Sequence, residues 1–357
     1  MSIRKMAAIL ATAAVVFAAC NSSSASAKPS GSASSACKVG VAWATFQEER
    51  YGLRDEPAIR AALAAGGAEY IGNSALNKAD VQTANVESLL ASGINVLVLN
   101  STDPKAMLPS VQKAVDAGIP VIAYDRELES AKALFLTHDN VEVGRMIADA
   151  VTKAQPTGNY AIILGDKTQT NPVFLRKGMA KVLDPLVASG AIKIVAEQNT
   201  PDWKADAAQT EMEQILTANS NNIQAVLSEN DNMATGAVAA LKAQGLEGKV
   251  KIGGQDGDKA ALNRVALGTQ VVSVWKDATE LGTAAGKAAL ELCKNKDISK
   301  VTGAAAGKTT GGLDTYQLFL NPVPITKDNL QKVIDAKWIT QAELCKDVKA
   351  GSVKGCP

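Results

Sequence analysis

The chain has one histidine, His138, no Cys-x-x-Cys pair, and aromatic residues at only 4% of its length. A single imidazole without paired thiols argues against a zinc centre. A Ser–His–Asp triad would have to use His138, and no GxSxG turn accompanies it. The first strand-like run leads into "WATFQEERYG" rather than GxGxxG, and no P-loop follows any strand, so the usual nucleotide cradles are missing. Charge of one sign is missing too. The formal net charge is +1, and without Arg4 and Lys5 of the first 19 residues 35 basic side chains face 36 acidic ones. Nothing in that balance would grip nucleic acid.

What is present begins with an export signal. "MSIRK" is a short basic region, followed by the apolar run "MAAILATAAVVFAA", too short for a comfortable bilayer span. It ends at Cys20 in "FAAC", which resembles a bacterial lipoprotein signal (residues 1–20) with Cys20 as the lipidated residue. Phe17 stands where Leu is usual, and an ordinary signal peptide cleaved near "ASA" is the alternative. Residues 21–36, "NSSSASAKPSGSASSA", have almost no large side chains to bury and read as a flexible tether. The expected location is extracytoplasmic, with a globular body held at the membrane by a lipid anchor. Four further cysteines, Cys37, Cys293, Cys345 and Cys356, suit two disulfides in an exported chain, with three connectivities open. Cys345–Cys356 is favoured because it would staple the tail.

The 357 residues suffice for about two domains. From Cys37 onward, short apolar runs alternate with longer helical patterns. "KVGVAW", "AEYIG", "NVLVLN" and "PVIAYD" are strand-like, separated by helices over 48–68, 78–93 and 103–118. After a helix over 140–155, the runs "NYAIILG", "IKIVAEQ", "IQAVLSE", "VKIGGQD" and "TQVVSVWK" are separated by helices over 172–189, 204–218, 231–244 and 258–267. Nearly continuous Val, Ile and Leu marks strands covered on both faces. Two such series predict an α/β protein of two doubly wound, parallel-sheet lobes.

In such sheets ligands bind beyond the carboxyl ends of the strands. The residues there are Trp43 and Phe46; Asn100 and Asp103; Tyr124, Asp125 and Arg126; Asp166 and Asn171; Trp203; Asn230 and Asp231; Gln255 and Asp256; Trp275 and Lys276. Three of the four tryptophans fall in this set, and Trp338 does not. Carboxylates accept, Arg and Lys donate, and Asn does both. Rings add an apolar face. Hydroxyls with a C–H face behind them, as in a sugar, meet all of these partners, whereas an isolated Asp-Arg pair would be an ordinary surface turn.

The segments "ERY", "AYDR", "TNPVFLRKGM", "PDW", "ENDNMATGA", "IGGQDGD" and "VWK" occur in order between residues 38 and 276. Together they resemble the periplasmic sugar-binding proteins of ABC importers, in the ribose-, galactose- and xylose-binding cluster and nearest to its xylose binders. The resemblance implies the type I periplasmic-binding-protein fold with a three-segment hinge crossing near 137–140, 275–278 and 309–316. The lobes would be 38–138 plus 277–310 and 139–276 plus 311–357. The helix after the second crossing would return to the first lobe and end where the first strand starts, which pairs Cys37 with Cys293. Residue by residue, the resemblance assigns Arg50, Tyr51, Asp125 and Arg126 on the first lobe and Asn171, Arg176, Trp203, Asn230 and Asp256 on the second, with Lys276 at a crossing. Trp203 would stack on the sugar and Asn230 would act as a bidentate amide. Tyr51 stands where the xylose binders carry Trp, and "WATFQE" is more aromatic and less acidic than usual. Xylose is therefore the first expectation, beside glucose, arabinose and ribose.

The implied function is capture of a monosaccharide by hinge closure and its delivery to the transmembrane subunits of an ABC permease, by a monomer without metal, cofactor or chemistry. A sugar sensor for a chemoreceptor or kinase is the alternative. An exported carbohydrate-active enzyme is a further one, but Asp125 and Asp256 lie beside cations, the wrong surroundings for a general acid.

Overall fold

The computed structural model describes residues 36–356; the signal, Cys20 and all of the tether but its last residue lie outside them. The chain runs β1 (Lys38–Trp43), α1 (Glu56–Ala65), β2 (Glu69–Ser74), α2 (Ala79–Ala91), β3 (Val96–Leu99), α3 (Leu108–Asp116), β4 (Val121–Tyr124) and β5 (Ala133–His138). It continues with α4 (Asn140–Ala154), β6 (Gly158–Leu164), α5 (Asn171–Ala188), β7 (Ile192–Asn199), α6 (Ala205–Ala218), β8 (Ala225–Ser228), α7 (Asp231–Ala243), β9 (Lys251–Gln255), α8 (Lys259–Leu267) and β10 (Val272–Trp275). Last come α9 (Ala278–Asn295), β11 (Ala305–Lys308), β12 (Asp314–Leu320), β13 (Val323–Ile325), α10 (Gln331–Asp335) and α11 (Gln341–Leu344).

Two sheets organise these elements, in the orders β11-β12-β5-β4-β3-β1-β2 and β13-β10-β9-β8-β6-β7. The pairings are parallel except β11–β12 and β10–β13. Central strands such as β3 ("VLVL") are buried throughout, whereas β2 and β7, at the edges, carry exposed polar residues. That is the contrast between strands covered on both faces and strands with open sides.

Two features depart from the sequence reading. The first is β5, which has no helix before it. Residues 125–132 carry the chain back without a helix, and this shortcut hides β5 from a search for alternating strands and helices. The second is the last crossing, expected near 309–316. β12 pairs with β5 as far as Leu320, and β13 pairs with β10 from Val323, so the chain changes sheets at 321–322. A hairpin of β11 and β12 extends the first sheet and shifts the boundary. The other two changes of sheet fall between β5 and α4 and between β10 and α9.

The helix expected over 48–68 is helical from residue 49 to Ala65, but not uniformly. A π-helical turn, Tyr51–Asp55, lies just before α1, and Pro57 sits in the first turn of α1, where a proline without an N–H inside a helical run interrupts the regular hydrogen-bond ladder. Helix α9 lies across this region so closely that a Cβ at Gly282 would come within 2.5 Å of the Asp55 carbonyl. At its far end, Cys293 is bonded to Cys37, just before β1, and a second disulfide joins Cys345 to Cys356. No helix among the described residues is long and apolar enough to cross a membrane.

Candidate functional site

A cavity of about 300 Å³, its mouth included, opens between the two sheets at the carboxyl ends of their strands. The space free inside it, apart from the mouth, is small, about 20 Å³. Its wall includes Arg50, Tyr51, Asp125, Arg126, Asn171, Trp203, Asn230, Asp256 and Lys276. Nine of the ten residues singled out from the sequence thus share one space.

Asp125 is the hub. It follows β4 with φ 61°, a left-handed conformation uncommon for a residue with a Cβ, and this turns its carboxylate away from the core. Tyr51 Oη donates to it at 2.6 Å, Lys276 Nζ at 3.0 Å and Arg50 Nη1 at 3.4 Å. Burial would raise this carboxyl, but Arg50 and Lys276 outweigh burial and hold it well below the usual carboxylate range. The neighbouring Arg126 donates to the Ser101 carbonyl at 3.0 Å and lies 3.8 Å from Glu48.

The π-helical turn fixes Arg50. Asp55, at the end of that turn, accepts from Arg50 Nε at 3.1 Å and Nη2 at 2.8 Å. Tyr124 Oη also donates to Asp55. A guanidinium held along its Nε–Nη2 edge by a carboxylate keeps one orientation, and its Nη1 points at Asp125 and, across the cleft, at Asp256, 3.6 Å away.

The second lobe contributes one ring and several amides. Trp203 also has left-handed backbone (φ 56°), and its indole covers the end of β6, where a Cβ at Gly165 would fall inside the ring. Trp203 Nε1 donates to Gln169 Oε1 at 3.1 Å, and Asn232 Nδ2 donates to the Trp203 carbonyl at 2.9 Å. Asn230 caps α7, its Oδ1 accepting from Met233 N at 2.8 Å. One lone pair of this carbonyl oxygen is therefore engaged, and its second lone pair and the amide nitrogen remain for a ligand. Asp256 (φ 100°) turns into the cavity from the end of β9. Asn171 Nδ2 reaches across the cleft to the Asp125 carbonyl at 3.1 Å.

Arg176 does not belong to the cavity. It projects from α5 to a partly exposed ion pair with Glu197 at 3.0 Å, because the helix turns it away from the end that carries Asn171. Two tryptophans at strand ends are also core residues. Trp43 is fully buried and donates to Tyr70 Oη at 2.9 Å, and Trp275 packs edge-on against Trp338 with ring centres 5.5 Å apart. In their place the cavity recruits Glu48, Gln169 and Gln255. Gln255 stood among the strand-end residues. Glu48 opens the run read as helical over 48–68 and Gln169 sits in a loop, and only the fold shows where they point. Burial pushes the Glu48 carboxyl up, against the pull of Arg126.

Three buried polar atoms of the lining, Glu48 Oε2, Asn171 Oδ1 and Gln255 Oε1, have no hydrogen-bond partner among the described residues. Buried acceptors without a donor are costly. Formal charges in the wall balance, with Arg50, Arg126 and Lys276 against Glu48, Asp125 and Asp256. The arrangement is suited to a small uncharged molecule with several hydroxyls and one apolar face. No group of His, Cys, Asp and Glu able to hold a metal ion occurs among the described residues.

Comparison with known proteins gives a family match and several relatives. Residues 39–297 match the family described as periplasmic binding protein domain. The D-xylose-binding periplasmic protein of Haemophilus influenzae is 35% identical over 299 residues, covering 83% of this chain and 88% of its own. The protein of the same description from Escherichia coli is 34% identical over 298 residues, covering 83% and 89%. Among solved structures, a solute-binding protein of an ABC transporter from Clostridium phytofermentans with bound β-D-glucose superposes with a TM-score of 0.77 at 25% identity, covering 86% of this chain and 99% of its own. A myo-inositol-binding protein from Caulobacter, bound to myo-inositol, gives 0.71 at 28% identity, covering 85% and 97%.

Proposed function

The chain belongs to the periplasmic binding protein family, a family of binding proteins rather than enzymes, and from that premise we propose that it captures one neutral monosaccharide, D-xylose first, between its lobes and hands it to an ABC permease. The observation that carries this reading is the cavity wall, which is charge-balanced, carries one indole and leaves three buried acceptors without donors. Sugar hydroxyls supply those donors. Glu48, Asn171 and Gln255 accept from them, and Asp125 and Asp256 take others. Arg50, Arg126, Lys276 and the Asn230 amide donate to the hydroxyl oxygens, and Tyr51 orients the Asp125 carboxylate. The Trp203 indole lies against the C–H face. Charge-assisted hydrogen bonds are roughly twice as strong as neutral ones, so ionised partners repay the desolvation of a polyol.

The mechanism is closure. A ligand that meets both lobes only when they approach shifts the population toward the closed form, and the permease receives that form. The two relatives whose descriptions name D-xylose favour this pentose over glucose, arabinose and ribose. In the same reading the protein works as an extracytoplasmic monomer tethered through a lipidated Cys20. A Cys20→Ser variant that still fractionates with membranes would remove the anchor.

The experiment is a thermal-shift screen against D-xylose, D-glucose, L-arabinose and D-ribose, followed by calorimetry. A ligand of the folded form alone must raise the melting midpoint. D-Xylose is expected to give the largest shift. A larger shift with another of these sugars reassigns the ligand, and no shift with any of them overturns the reading.

A further inference from the structure

Outside the cavity, at the mouth of the cleft, Arg54 of the first lobe meets the C-terminal segment on the second. Its Nη2 donates to the Trp338 carbonyl at 2.7 Å and to the Lys337 carbonyl at 3.2 Å, and its guanidinium carbon lies 5.1 Å from the centre of the Trp338 ring. We infer that Arg54 and Trp338 form a latch that sets the affinity for the sugar without touching it.

Both halves of this contact are mounted on parts of the cavity wall. Arg54 lies in the π-helical turn Tyr51–Asp55, three residues after Tyr51. Trp338 is nearly buried and donates from Nε1 to the Gly257 carbonyl at 2.6 Å, and Gly257 follows Asp256. Asp231 Oδ2 holds the same loop by accepting from the amides of Gly257 and Asp258, each at 3.1 Å. The segment behind Trp338 is itself pinned to the second lobe. Asn263 Nδ2 donates to the carbonyls of Leu344 and Lys346, both at 2.9 Å, and Cys345–Cys356 closes the tail.

A contact that spans the cleft exists only when the lobes are together, so its free energy belongs to the closed state. Apparent affinity scales with the fraction of protein that is competent to hold the ligand. The latch also opposes opening, which a trapped sugar needs before it can leave. Losing a charge-assisted hydrogen bond together with a cation–π contact corresponds to about a tenfold change in that balance. The C-terminal segment thereby gains a role beyond covering the second sheet.

The inference rests on the receptor reading, and its test separates the two. Arg54→Ala and Arg54→Lys are compared with the native protein by stopped-flow tryptophan fluorescence with D-xylose and D-glucose. Arg54→Ala is expected to raise the dissociation rate about tenfold, with an unchanged association rate, sugar preference and melting point of the sugar-free protein. Arg54→Lys, which keeps one donor, is expected to recover part of the loss. Equal dissociation rates in native protein and Arg54→Ala overturn the latch. If the native protein binds neither sugar, the receptor reading fails, and distances between spin labels at Lys113→Cys and Glu213→Cys, one on each lobe, decide the latch alone. A smaller closed population in Arg54→Ala supports it. Equal populations, or no closed population at all, overturn it.

Discussion

Lys276 Nζ lies 3.0 Å from Asp125 Oδ1, although 151 residues separate the two in sequence. Lys276 follows the last strand before the chain returns to the first lobe, and Asp125 follows β4 on that lobe. A buried ion pair therefore sits where a chain crossing meets the cavity floor. Arg50 approaches the same carboxylate, so one anion organises two cations of the wall.

Asp125→Asn tests this hub. The amide keeps the shape but removes the charge, leaving Arg50 and Lys276 buried and short of a partner. Removing one member of a buried pair costs on the order of 3–5 kcal/mol. Sugar affinity is expected to fall at least 100-fold in calorimetry and the melting point to drop. Affinity within a factor of two of the native protein would remove Asp125 from the site.

Trp203→Ala is expected to weaken sugar binding by about 1–3 kcal/mol through loss of the stacked face. Gly165→Ala should weaken it as well, since the added Cβ occupies the space of the indole. Arg176→Ala is the contrast. It breaks a partly exposed pair with Glu197, worth about 0–1 kcal/mol, and calorimetry should show native affinity.

His138 gives a pH prediction with a clean control, because it is the only histidine. Burial, reinforced by Lys276 and Arg50, holds its pKa well below the usual value, and neither ring nitrogen has a partner among the described residues. The folded form keeps the ring neutral while the unfolded chain protonates it below about pH 6.5. This group therefore removes stability as pH falls from about 7 toward 5. Burial pushes Asp231 up to about 7, which acts in the opposite direction, so the comparison must be between variants. The native melting point minus that of His138→Leu should fall with decreasing pH across this window. A flat difference would show that His138 has the same affinity for protons in both states.

The two disulfides should differ in their effect. Cys37–Cys293 spans 256 residues of sequence and Cys345–Cys356 spans 11. In the chain-entropy account the stabilisation grows with loop length, from about 3 kcal/mol for a 15-residue loop to nearly 5 for a long one. Cys37→Ser/Cys293→Ser should lower the denaturation midpoint more than Cys345→Ser/Cys356→Ser. The shorter staple holds the segment that carries Trp338, so its loss should also speed sugar release.

The alternation of strand and helix, the two sheets and most residues beyond the strand ends were legible in the sequence by itself. They follow from local periodicity, from Gly and Asn at helix ends and from buried runs of Val, Ile and Leu, all properties of short segments. The tertiary structure decided what a segment cannot: where a side chain points. Positive φ at Asp125, Trp203 and Asp256 turns these residues inward, at a cost that only surrounding packing can hold. The twist of α5 separates Arg176 from Asn171. Trp203 and Trp275 both stand at the cleft end of the second lobe, but one lies over Gly165 and the other against Trp338. Glu48 and Gln169 enter the wall from loops, and the β11–β12 hairpin moved the last crossing to 321–322. Apart from the turn of α5, which is local geometry, each of these depends on contacts between residues far apart in the chain, and their energies exist only after the sheets have packed.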